Sequence, residues 1–130
     1  AIETSDLPAK ALEISGKQYT VEQNIYGIKR FALNFTAAQR TATMDITLDD
    51  SQRHVTIGLD GVYRITRLPD GPVAYKGRWM SSETFVLSDI VVGDTAGSNV
   101  VARFQDNHAD ITISMGFGRS LDLKATRDSH

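Results

Sequence analysis

The feature that most constrains this chain is a two-residue hydrophobic rhythm, repeated between turn signals from residue 14 onward. In "TATMDITL", Met44, Ile46 and Leu48 alternate with Thr43, Asp45 and Thr47. "RFALNF" puts Phe31, Leu33 and Phe35 in one phase, "ADITISM" does so with Ile111, Ile113 and Met115, and "SLDLKA" with Leu121, Leu123 and Ala125. Successive side chains of a strand point to opposite faces, so each segment offers one dry face and one wet face. Apolar residues at helical spacing are sparse in this region.

Residues that tolerate a chain reversal separate these runs: Asp49-Asp50-Ser51, Asp60-Gly61, Pro69-Asp70-Gly71-Pro72, Ser81-Ser82, Gly93-Asp94, Asp106-Asn107, and Gly116 with Gly118. Proline pre-sets φ and glycine accepts positive φ, so "LPDGPV" is the clearest turn. About ten strands follow, near 17–22, 29–36, 41–48, 53–58, 61–66, 73–80, 83–91, 98–105, 109–115 and 119–126. Short antiparallel strands with one apolar face need either closure or a second sheet. Short connections favour a meander, and closure removes exposed edges. The expected fold is all-β, an antiparallel up-and-down β-barrel of the lipocalin or calycin kind with about 8–10 strands. No Cys-Trp-Cys arrangement supports an immunoglobulin-like sandwich. The barrel domain is expected over 14–127. Residues 1–13, "AIETSDLPAKALE", read as a linker or N-terminal extension, with a short helix after Pro8 as the alternative.

At 130 residues with 41% hydrophobic and 23% charged side chains, the chain suits one domain with a proper core. A net charge of −2 and the lack of a charged run give no expectation of nucleic acid as a partner. No apolar run is long enough for a membrane-spanning helix, so membrane insertion is not expected. The absence of cysteine excludes disulfides, thiolate metal sites and a Cys nucleophile. The opening residues carry no leader pattern and no initiator Met, which suggests a mature or excised fragment of something longer.

Motifs for catalysis are missing. Neither Gly-x-Ser-x-Gly nor Ser-x-x-Lys occurs. His54, His108 and His130 lack the spacing of a metal clamp, and Asp106, Asn107 and Asp110 beside His108 read as a solvated turn. Asp49-Asp50 is a turn pair. "GDTAGS" at 93–98 leads into a strand rather than a helix N-terminus, so it reads as a loop and not as a phosphate cradle. "MGFGRS" at 115–120 reads as a hairpin connection whose Phe117 folds over the barrel end. No catalytic residue, metal site or cofactor is expected.

The stretch "VAYKGRWM" carries most of the site information. Val73, Tyr75, Gly77 and Trp79 share the phase expected to face inward, and Ala74, Lys76, Arg78 and Met80 share the other. Gly77 between two large aromatics leaves room for a crossing side chain or a bent strand. "ETFVL" then places Phe85 and Leu87 on one face, and Arg103 in "VVARFQ" faces away from Ala102 and Phe104. Aromatics inside a barrel either fill its core or line a pocket. If a pocket exists, Tyr63, Tyr75, Trp79 and Phe85 are the candidate lining residues.

Several segments resemble the C-terminal accessory domain of bacterial serine hydrolases of the β-lactamase and penicillin-binding-protein-like class. They are the Ser-Gly-Lys-x-Tyr opening at 15–19, Gly58-Leu59-Asp60-Gly61 followed by an aromatic-Arg step, Gly77-Arg78-Trp79, a Thr-Phe-Val strand at 84–86 and a late Arg103-Phe104. The likeness covers roughly 12–126. It implies a lipocalin-like barrel and a non-enzymatic role of support, interaction or substrate gating. It also implies a serine hydrolase domain, N-terminal in the same chain, as partner, with a homo-oligomer as a further option and a periplasmic or secreted setting. Lipocalins carry Gly-x-Trp near their start, whereas here it lies past mid-chain. The alternative expectation is a barrel that binds a small apolar ligand in its lumen; the volume of that lumen discriminates between the two.

Overall fold

In a computed structural model, residues 7–36, 40–69, 71–91, 97–114 and 120–128 are described. The elements are α1 (Ala9–Ile14), β1 (Tyr19–Val21), β2 (Ile28–Asn34), β3 (Thr41–Leu48), β4 (Gln52–Gly58), β5 (Arg64–Leu68), β6 (Gly71–Trp79), β7 (Thr84–Val91), β8 (Gly97–Gln105), β9 (His108–Ser114) and β10 (Ser120–Arg127). The ten strands form one sheet in the order β4-β3-β2-β1-β10-β9-β8-β7-β6-β5. Every neighbour in that order is antiparallel. A short parallel pairing of β4 with β6, Ile57 opposite Tyr75 and Gly58 opposite Lys76, closes the ring. The fold is an all-β closed barrel.

The seam of the barrel lies between β4 and β5. Where β4 and β6 diverge, β5 fills the wedge, pairing with β6 from Tyr75 back to Gly71. Toward β4 it has no backbone ladder. Instead the Thr56 amide on β4 donates to Thr66 Oγ1 on β5 at 3.0 Å. A side chain thus supplies the acceptor that a partner strand would otherwise provide. The expected strand over 61–66 begins later, at Arg64, because residues 60–64 form a clamp. Arg64 donates to both carboxylate oxygens of Asp60, at 3.1 and 2.9 Å, and to the Val62 carbonyl at 2.9 Å. Gly58 is needed beneath it, since a Cβ there would stand 1.8 Å from the Val62 carbonyl oxygen.

The helix after Pro8 is present in the N-terminal stretch. Ala, Lys, Leu and Glu are good helix formers, and Gly16 at φ +78 ends the turn. Ala11 and Ile14 are buried in the core. The Ser15 hydroxyl bonds the Phe35 backbone, accepting its amide hydrogen at 2.7 Å and lying 2.9 Å from its carbonyl oxygen, while the Gly16 amide donates to the Leu33 carbonyl at 2.9 Å. These bonds hold α1 against the end of β2.

The two ends of the barrel differ. Where β6 ends and β7 begins, six aromatic rings meet. Trp79 has centroids 5.6, 5.2 and 6.1 Å from Phe35, Phe85 and Phe104, and Tyr19 lies 5.3 and 5.5 Å from Phe31 and Phe104. Tyr19, Phe85 and Phe104 are each 1% exposed. Burying a Phe-sized side chain stabilises by roughly 1.5–3 kcal/mol, so this plug is a principal source of stability. Gly77 makes room for it: the crossing side chain is Phe85, whose Cζ would stand 2.4 Å from a Cβ at residue 77. On the outer face, polar pairs such as Lys124 with Asp110 at 2.9 Å and Thr112 with Asp122 at 2.8 Å join neighbouring strands. Arg103 is exposed on this face. The loop expected at 93–98 and Phe117 of the connection at 115–120 fall largely or wholly outside the described residues.

Candidate functional site

Beyond the aromatic plug, the lumen is not filled. It contains a cavity of about 420 Å³, within the range of roughly 300–1,000 Å³ usual for small-molecule sites. Phe31 and Phe85 bring the plug's inner faces to the cavity. Its walls are the inward phases of the strands: Leu33, Met44, Leu87, Val100, Ile111 and Leu123 among them. This is the surface that the two-residue rhythm implies, with apolar residues drawn from β1, β2, β3, β7, β8, β9 and β10 and none from β5.

Polar side chains enter the cavity on the same inward phase. On β7, Asp89 follows Phe85 and Leu87 at two-residue steps. It therefore stands about 13 Å beyond Phe85 along the strand, away from the plug. Tyr75 is directly opposite Asp89 in the β6–β7 register, and Ser98 is opposite it in the β7–β8 register. The Ser98 hydroxyl donates to Asp89 Oδ1. Arg53 joins the lining from β4, in phase with Val55 and Ile57. Burial pushes the Tyr75 phenol up to about 12; the Asp89 carboxylate raises it further and Arg53 offsets part of the rise. Tyr75 is thus a neutral hydrogen-bond donor throughout the physiological range.

The β1–β2 connection supplies Tyr26 to the same cavity. Asn24 organises that turn. Its Oδ1 accepts from the amides of Tyr26 and Ile28 at 3.0 and 3.2 Å, and its Nδ2 donates to the carbonyls of Glu22 and Ile28 at 2.8 and 2.9 Å. An Asx side chain closing its own turn holds such a loop without regular structure.

Of the four lining residues expected from the sequence, Tyr75 and Phe85 line the cavity and Tyr63 and Trp79 do not. Trp79 belongs to the plug, where its Nε1 is buried with no hydrogen-bond partner among the described residues. Tyr63 lies outside the barrel wall, half-buried, with Lys76 Nζ 4.6 Å from its ring centroid. Lys76 is on the phase opposite Tyr75, so that contact is an outer-surface one. Arg53, Asp89 and Ser98 were not among the expected residues. Their signal is a polar residue standing in the apolar phase of a strand, as in Phe85-x-Leu87-x-Asp89 and Arg53-x-Val55-x-Ile57.

No protein-family model matches the chain, and no curated protein sequence does. Solved structures do match. An extracellular fatty acid binding protein, As-p18, superposes with a TM-score of 0.71 at 14% identity, over 94% of this chain and 99% of its own. A Schistosoma mansoni fatty acid binding protein solved with arachidonic acid gives 0.68 at 12%, over 92% and 98%. A Drosophila melanogaster brain fatty acid binding protein gives 0.61 at 16%, over 87% and 98%. The chain shares their barrel fold. This overturns the expected likeness to the accessory domain of a β-lactamase-related serine hydrolase, together with the hydrolase domain expected as its partner and the supporting or gating role. Proteins of this fold from other classes match over comparable spans, among them a secretory abundant heat soluble protein from Ramazzottius varieornatus, with a TM-score of 0.68 at 11% identity over 88% of this chain and 94% of its own. The physical reason is visible in the residues that carried the likeness. Gly58, Gly77 and Trp79 serve chain approach and core packing, and any closed meander of this size has such needs.

Proposed function

We propose that this chain binds a small, elongated, largely apolar molecule in the barrel lumen. The observation that carries the reading is the cavity of about 420 Å³ left between the aromatic plug and the polar group around Asp89. A barrel whose own side chains filled its interior would hold nothing. Apolar walls supply affinity by removing ligand surface from water, and a few convergent polar groups orient the ligand. Tyr75 and Phe85 are contact residues in this reading, at the polar and plug sides respectively. Three solved structures with this fold are of fatty acid binding proteins, which supports an acyl-chain-like shape for the apolar part.

The test is titration with diphenylhexatriene, a neutral rod-shaped fluorophore that brightens in apolar surroundings. Saturable binding at one site per chain, displaced by long-chain lipids, is the expected result. Folded protein that shows no saturable binding of the fluorophore or of any long-chain lipid would overturn the reading. Trp79 emission reports only second-hand, through its contact with Phe85.

A further inference from the structure

We propose that Asp89, with Tyr75 and Ser98, selects a ligand whose polar end is an uncharged hydroxyl and disfavours a free carboxylate. The inference rests on the lumen-binding reading and names the head group that the same cavity takes.

Three placements carry it. Asp89 lies in the inward phase of β7 with Phe85 and Leu87, so its carboxylate belongs to the cavity lining. Its neighbours across both ladders, Tyr75 and Ser98, also line the cavity. Ser98 donates to Asp89 Oδ1. The trio therefore presents a carboxylate that accepts beside a phenol that donates. A hydroxyl can satisfy both at once, giving its hydrogen to Asp89 and receiving one from Tyr75. A ligand carboxylate has no hydrogen to give and meets a like charge.

Arg53 is the countervailing group, the one arginine among the described lining residues. Its charge balances that of Asp89, so the polar group as a whole offers little net attraction to an anion. What remains is hydrogen-bond complementarity, and unmatched polar groups are what discriminate most strongly between similar ligands. The apolar walls treat a hydroxyl-ended and a carboxylate-ended chain of equal length alike, so the preference resides in this trio.

The experiment uses 1-tetradecanol and myristate at neutral pH, each displacing diphenylhexatriene from the wild type, Asp89→Asn and Arg53→Gln. The wild type is expected to bind the alcohol about tenfold more tightly than the acid. Asp89→Asn should bring the two to near parity by strengthening myristate. Arg53→Gln should widen the gap by weakening myristate and leave tetradecanol little changed. Wild type that prefers myristate, or a preference that neither substitution moves, overturns the proposal while leaving lumen binding intact. Wild type that takes up neither the fluorophore nor either lipid overturns lumen binding itself. Retained fluorophore binding by each variant shows that it has folded.

Discussion

The ring of Phe85 lies over the bare Cα of Gly77, so close that a Cβ at residue 77 would stand 2.4 Å from its Cζ. Gly77 pairs with Leu87 in the β6–β7 ladder, two register positions from the pair Trp79–Phe85. The glycine is the notch into which the plug's central ring fits. Gly77→Ala should therefore destabilise the fold by about 1–3 kcal/mol through overpacking. In a Phe85→Leu background the same substitution should cost distinctly less, since contacting residues couple. Urea denaturation followed by the emission of Trp79, the sole tryptophan, measures both.

Val100 is half-buried on the cavity wall opposite Leu87. Val100→Trp should occupy lumen space and lower diphenylhexatriene affinity by about tenfold or more, with the far-ultraviolet circular dichroism of the barrel retained. Affinity equal to wild type would place the binding site elsewhere.

At the seam, the Thr56 amide depends on the Thr66 hydroxyl. Thr66→Val keeps the shape and removes the acceptor. It should cost about 1 kcal/mol, the usual scale for one part-buried hydrogen bond. Hydrogen exchange at the Thr56 amide should quicken more than at the Val55 amide, which lies within the β3–β4 pairing.

Tyr75 makes the alkaline limb of stability pH-dependent. Its folded value is pushed up to about 12 from 10.0. Above pH 10 the unfolded chain loses this proton while the folded chain keeps it, so stability falls as pH rises through that window. The contribution is complete below pH 10. Burial also raises the Tyr19 phenol, so two of the four tyrosines should ionise late when phenolate absorbance is followed. Tyr75→Phe should remove one late step and flatten the decline between pH 10 and 12.

The strands were largely legible because each is a local alternation. Met44-x-Ile46-x-Leu48 and Leu121-x-Leu123-x-Ala125 occupy the strands and the phase that their spacing implies. Where a boundary moved, a side chain moved it: the Asp60–Arg64 clamp delays β5 by three residues against the expected start at 61. The cavity was half legible. Tyr75 and Phe85 could be placed by phase alone, and so could Asp89 and Arg53 once polar residues in an apolar phase are taken as signals. Trp79 could not be told from a lining residue, because the phase that points inward is the same at the plug and at the cavity.

Local spacing by itself determined that this chain makes strands and which side chains most of them turn inward. Only the tertiary structure decided that the ring closes through β4 and β6, that the aromatic rings collect at one end, and that a cavity remains at the other. The reason is geometric. Lumen volume is the difference between the barrel's cross-section, set by strand number and stagger, and the summed volume of side chains brought together from distant strands. No single strand encodes that difference.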